Sequence, residues 1–195
     1  MNVAKETPEV IELTDVAAMR VLAHPTRLRL LGMLRTNGPQ TAALLGEIVD
    51  EAPGTVSYHL GKLASVGLIE EAPEESADKR ERWWRSRHQF TSWKPAELLN
   101  DPAGLAAATA MHRVIVQHYA SLMNSYLDVL PELSPDWVAA AASSDHSLEL
   151  TAAELAELRD ELDQVVGKFQ ARSDQRGQSS ETETVTVIYQ AFRTP

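Results

Sequence analysis

The sequence predicts a mainly α-helical fold with a small β component, and three observations carry that expectation. Residues 41–65 hold two apolar stripes at helical spacing, separated by a break. Residues 68–88 hold two short strand-like runs on either side of an acidic tip. Residues 105–172 hold long apolar stripes in steps of three and four. The first and third patterns are those of amphipathic helices, and the second is that of a hairpin.

Taken in order, residues 1–14 have little to bury and are expected to form a mobile arm. A first helix is expected over Asp15–Leu22, interrupted by His24-Pro25. A second covers Thr26–Arg35, with Leu28, Leu31 and Leu34 on one face, and Asn37-Gly38-Pro39 ends it. Leu44, Leu45 and Ile48 stripe the next helix; Val56, Leu60 and Leu63 stripe the one after. Asp50 to Gly54 break the pattern between them, and Pro53 suits a first helical turn. Two short helices joined by a tight turn make a helix-turn-helix, whose second helix can enter a DNA major groove.

Gly67 supplies a helix stop before a strand at Leu68–Ala72. Pro73–Asp78 is a polar, acidic tip, and Lys79–His88 is the returning strand. A helix-turn-helix followed by a hairpin is a winged helix. Phe90–Pro95 then reads as a connector whose Trp93 packs against the winged domain.

Leu105–Leu130 reads as one long helix. Ala108, Ile115, Tyr119, Leu122, Tyr126 and Val129 form a coiled-coil-like seam, broken by His112. Pro131 and Pro135 mark a turn, and Asp136–Ala142 a short helix. Thr151 and Glu154 form a capping box opening a helix to about Arg172, striped by Leu155, Leu158, Leu162, Val165 and Phe169. After a polar loop, Thr184–Phe192 has the β-branched content of a strand and is expected to pair with Ser147–Leu150. The expected organisation is an arm (1–14), a winged helix-turn-helix domain (15–95) and a helical dimerisation or effector domain (96–195) with a short C-terminal strand pair.

A chain of 195 residues with 44% hydrophobic content is long enough to bury a real core. No run approaches the ~20 apolar residues that cross a bilayer, and the first residues lack an apolar signal core, so no membrane partner is expected. With no cysteine, disulfides and thiolate chemistry are excluded, and the expected setting is cytoplasmic. There is no glycine-rich phosphate loop and no nucleophile-elbow or zinc-protease motif, so no enzyme and no cofactor are expected. Net charge is −10, but residues 1–95 hold 12 basic against 13 acidic side chains and residues 96–195 hold 6 against 15. The acid excess therefore lies almost wholly in the second half.

With Val56, Leu60 and Leu63 facing inward, the reading helix turns Thr55, Ser57, Tyr58, His59 and Lys62 outward as candidate DNA contacts. It has no Arg, Asn or Gln, which favours hydroxyl contacts, water and DNA shape over bidentate base reading. In the returning strand Lys79, Arg80, Arg82 and Arg85 are candidate phosphate contacts, with Glu70, Glu71, Glu74 and Glu75 as the competing partners. Arg27 and Arg29 either approach a phosphate or pair with acids such as Asp15.

HPTRLRLL (24–31), TVSYHLGKLASVGLI (55–69) and RERWWRS (80–86) resemble the arsenical-resistance repressor (ArsR) family of bacterial winged-helix regulators. The resemblance implies a homodimeric transcriptional regulator, most often a repressor, with double-stranded DNA as its partner, and supports Thr55, Ser57, Tyr58 and His59 as the contacting stretch. Many members sense metals through cysteines on the first helix of the motif; here that helix reads TAALLGEIV and has none. His112 and His118, six residues apart, fall on opposite helix faces, so no metal is expected. The helical second half is expected to form a dimer seam of Ile115, Tyr119, Leu122 and Tyr126. A competing use of Tyr119, Tyr126, Trp137, Phe169, Met111 and Met123 is a pocket for a small organic effector. A further alternative is a protein-interaction adaptor built on the same fold.

Overall fold

In the computed structural model, which describes residues 10–76, 81–176 and 182–194, the chain forms two units, one ending at Val129 and one beginning at Leu130. The first opens with a short strand, β1 (Val10–Glu12). The Asp15 carboxylate then accepts the Ala17 N–H at 2.8 Å and caps α1 (Val16–Leu22). Pro25 sits in the first turn of α2 (Pro25–Thr36), where its missing N–H costs nothing. Thr41 belongs both to strand β2 (Gln40–Thr41) and to the cap of α3 (Ala42–Val49), its hydroxyl accepting the Leu44 N–H at 3.2 Å. Pro53 opens α4 (Pro53–Ser65), and Gly67, at φ 72°, turns the chain after it.

The wing follows as β3 (Ile69–Glu71) and β4 (Trp83–Ser86), antiparallel, with Glu70 opposite Arg85 and Glu71 opposite Trp84. β2 pairs with the other edge of β4, so the sheet order is β2-β4-β3. β5 (Phe90–Ser92) pairs in parallel with β1, and the Lys94 ammonium meets the Glu12 carboxylate at 2.8 Å. α5 (Pro102–Val129) completes the unit, packing along α1 and α2. The core gathers Met19 and Leu22 of α1, Leu30, Leu31 and Leu34 of α2, Leu60 and Leu63 of α4, Trp84 of β4, and Met111 and Ile115 of α5. Trp93 packs against this core, as the sequence predicts.

Three expectations are revised. The stretch assigned to a mobile arm ends in β1, because the connector supplies a partner edge at Phe90–Ser92 that composition does not reveal. The boundary after residue 95 falls inside the first unit, because Met111 and Ile115 of α5 finish its core. The C-terminal strand pair does not form: neither 147–150 nor 184–192 is in a strand. Strand propensity measures fit to a pleated, half-buried surface, and the second unit has no strand among its described residues to supply one.

The second unit contains α6 (Pro135–Ala140) and α7 (Ala152–Arg176). The capping box forms as expected: the Glu154 carboxylate accepts the Thr151 N–H at 2.7 Å, and the Thr151 hydroxyl accepts the Glu154 N–H at 3.3 Å. The Tyr189 hydroxyl donates to the Asp163 carboxylate, holding the last segment to α7 by a side chain. No described residue of this unit is buried. Among the described residues no helix is long and apolar enough to cross a membrane.

The turn between α3 and α4 is set by close backbone approach. Asp50 is left-handed (φ 57°, ψ 46°), and its N–H and that of Glu51 both donate to the Gly46 carbonyl, the latter at 3.1 Å. A Cβ on Gly46 would lie 2.6 Å from the Glu51 carbonyl oxygen. Gly46→Ala is expected to destabilise the protein by about 1–3 kcal/mol, read as a lower urea midpoint with unchanged slope.

Candidate nucleic-acid interface

α4 divides cleanly between an inner and an outer face. Val56, Leu60 and Leu63 are sealed in the core, while Thr55, Ser57, Tyr58 and Lys62 are exposed, Tyr58 at 61%. The Lys62 ammonium lies over the Tyr58 ring, 5.5 Å from its centroid, so the two present as one cationic, aromatic edge. Arg29 donates to the Ile48 carbonyl at 3.0 Å and the Thr26 hydroxyl donates to the Glu51 carboxylate at 3.1 Å, fastening α2 to the turn before α4. Arg29 is thereby used to hold the motif together.

His59 is not on the outer face; it is only 7% exposed. Positions 59 and 60 are i+3 and i+4 from Val56, so both share its inward face, a consequence of helical period that marks His59 as interior. Its ring lies 4.7 Å from that of His24, and its Nε2 is 3.9 Å from the Glu51 carboxylate. His24 Nδ1, His59 Nδ1 and Arg27 Nε are buried with no hydrogen-bond partner. Burial, with Arg27 and His59 nearby, holds the His24 pKa below its ordinary 6.5, and Glu51 opposes only in part.

The described arginines of the wing are paired with its own acids. Arg85 donates to Glu70 at 2.8 and 3.0 Å and to Glu74, and these bonds raise its pKa further. Arg87 lies 3.5 Å from Glu70, and Arg82 pairs with Glu71 at 3.2 Å while stacking over Trp84. Arg85 is therefore a strut across the β3–β4 pair rather than a free phosphate contact. Arg82, with a side chain 66% exposed, remains able to exchange its partner for another anion. Lys79 and Arg80 lie outside the described residues.

Arg35 carries a role the sequence does not announce. It donates to the His88 carbonyl at 3.0 Å and the Thr91 hydroxyl at 2.6 Å, tying the end of α2 to the wing's exit, and burial lowers its pKa to about 10. Of the expected dimer seam, Ile115 is buried in the first unit's own core and Tyr119 packs against it, leaving Leu122 and Tyr126 exposed. Of the expected effector lining, Met111 is core and Met123 is exposed in the first unit, while Trp137 and Phe169 belong to the second. An open groove of about 420 Å³ does run beside α5, between Trp93 and Pro95 on one side and Leu105, His112 and Val116 on the other.

A helix-turn-helix domain model matches residues 22–72, spanning α2 to the first wing strand. Comparison with curated protein sequences gives no match. Among solved structures, a mutant of Lactococcus lactis ZitR in apo form is similar at 16% identity, covering 75% of this chain and 83% of that one, with a TM-score of 0.33. Wild-type apo MarR from E. coli is similar at 19% identity, covering 76% and 87%, with a TM-score of 0.31. Wild-type ZitR in complex with DNA is similar at 19% identity, covering 55% and 73%, with a TM-score of 0.28. TM-scores this low do not establish a shared overall architecture.

His24, His88 and His118 all have folded pKa values below the ordinary 6.5, in each case chiefly through burial. Their neutral forms favour the folded state, so this contribution is complete above pH 6.5 and declines as pH falls below it toward the lowered values. The urea midpoint is expected to drop between about pH 7.5 and about pH 5.5, and to drop less in His24→Asn.

Proposed function

We propose that this chain is a sequence-specific DNA-binding transcription regulator, acting in the cytoplasm as a homodimer on a promoter operator, with repression as its effect. The observation that carries this is the outer face of α4: Thr55, Ser57, Tyr58 and Lys62 stand exposed on a helix whose opposite face is locked into the core. A rod of this kind, polar outside and anchored inside, fits a major groove. Lys62 and Arg82 would meet phosphates, together with Lys79 and Arg80, which the sequence assigns to the returning strand. Thr55, Ser57 and Tyr58 would bond base edges or phosphates, with shape and deformability of the DNA supplying the rest of the selectivity.

Two such helices reach successive major grooves only when held about 34 Å apart, which is what a two-fold dimer provides. Leu122 and Tyr126 remain as α5's candidates for that contact. A small organic effector, for which the groove beside α5 offers space, would act by changing the spacing or angle of the two helices.

One observation favours a second reading. Each described wing arginine is engaged by an acid of β3 or the tip, which interrupts the basic strip that a DNA backbone would follow. An interaction module that binds another protein does not need that strip. Titration of the full chain against its own upstream DNA over a salt series separates the two. The regulator reading expects salt-sensitive binding that weakens about tenfold or more in Tyr58→Ala with Lys62→Ala, with a shallower salt slope. Unchanged affinity in that variant would remove α4 as the reading helix, and the absence of binding at low salt would leave the adaptor.

A further inference from the structure

α7 has 25 residues and, unlike every helix of the first unit, buries none of them. Leu155, Leu158, Leu162, Val165 and Phe169 recur in steps of three and four, the spacing of a coiled-coil seam. The first three are half-buried, while Val165 and Phe169 are 54% and 56% exposed. The Tyr189 tether engages Asp163, off that stripe, and leaves the Val165–Phe169 end exposed, with the Arg172 guanidinium over the Phe169 ring at 4.9 Å from its centroid. Something of matching shape is needed to cover it.

The charges on α7 say what. Its first half, to Gln164, carries Glu154, Glu157, Asp160, Glu161 and Asp163 against Arg159 alone, and Arg159 is already paired with Asp160 at 2.6 Å. Its second half carries Lys168, Arg172 and Arg176 against Asp174 alone. An interface made by a two-fold axis must be complementary to itself, and a helix that runs from acidic to basic meets this condition when it lies antiparallel to its own copy. Parallel pairing would set acid on acid and base on base.

We propose that α7 pairs antiparallel with α7 of a second copy of this chain. In the register that opposes alternate seam positions, Leu162 meets Val165 of the second copy and Leu158 meets Phe169 of the second copy, each contact occurring twice. The same register sets Glu161 beside Lys168 of the second copy, at the flanking positions that select partner and orientation in coiled coils. This interface stands on the second unit alone and does not depend on DNA binding.

The chain has no cysteine, so introduced ones report without background. Full-length Leu158→Cys and Phe169→Cys are oxidised separately and mixed. The mixture is expected to form disulfide dimers roughly tenfold faster than either variant alone. Faster cross-linking of Leu158→Cys with itself would show parallel pairing and overturn the proposal, and so would the absence of cross-linking in all three samples. Should either variant lose helix content by circular dichroism, Leu162→Cys mixed with Val165→Cys reads the same contact. Glu161→Lys in the cysteine pair is expected to slow the reaction about tenfold, with Lys168→Glu in the same chain restoring it. Because the readout is which positions join, a dimer held only by α5 would leave this pattern absent while preserving operator binding.

Discussion

The close approach of Gly46 to the Glu51 carbonyl is the constraint from which the rest of the first unit follows. Only a residue without a Cβ lets α3 end against the turn, and only then does α4 leave the turn with Val56, Leu60 and Leu63 aimed at the core. That orientation in turn decides which side chains are left outside. The polar edge of Thr55, Ser57, Tyr58 and Lys62 is thus a by-product of how the inner face is packed. Arg29 and Thr26 secure the same turn from α2, so the angle of α4 is held from two sides.

Electrostatics within this frame is mostly internal. The described wing arginines engage Glu70, Glu71 and Glu74, and Arg35 donates to His88 and Thr91 at the wing's exit. On the described outer face of α4 and the wing, Lys62 and the exchangeable Arg82 remain able to attract an anion. A DNA-binding face of this composition gains less from charge than its count of basic residues suggests, and more from shape and hydroxyl contacts.

The helices were legible because periodicity reports burial directly: the α1 and α2 spans agree with the sequence reading to within one residue, the next two stripes fall on α3 and α4, and the capping box marks the start of α7. What was not legible depends on contacts distant in sequence. Parallel pairing of β1 with β5 joins positions 80 apart, and no local pattern encodes it. Ile115 and Tyr119 have the spacing of a seam, but spacing cannot say whether the matching surface belongs to the same molecule or to another. Thr184–Phe192 has strand composition, yet no strand forms there. His59 is a different case, since its i+3 relation to Val56 was available in the sequence, and its polar character masked it.

The two units differ in what keeps them ordered. The first has an interior, and its folding is a property of one chain. The second buries none of its described residues within a single chain, so it lacks among them the core that holds the first. Pairing of α7 with a second copy, as proposed, would add mass action to what orders this unit. The half of the chain that holds most of the acid excess would then act as a gauge of abundance, ordered when copies are plentiful and loose when they are scarce.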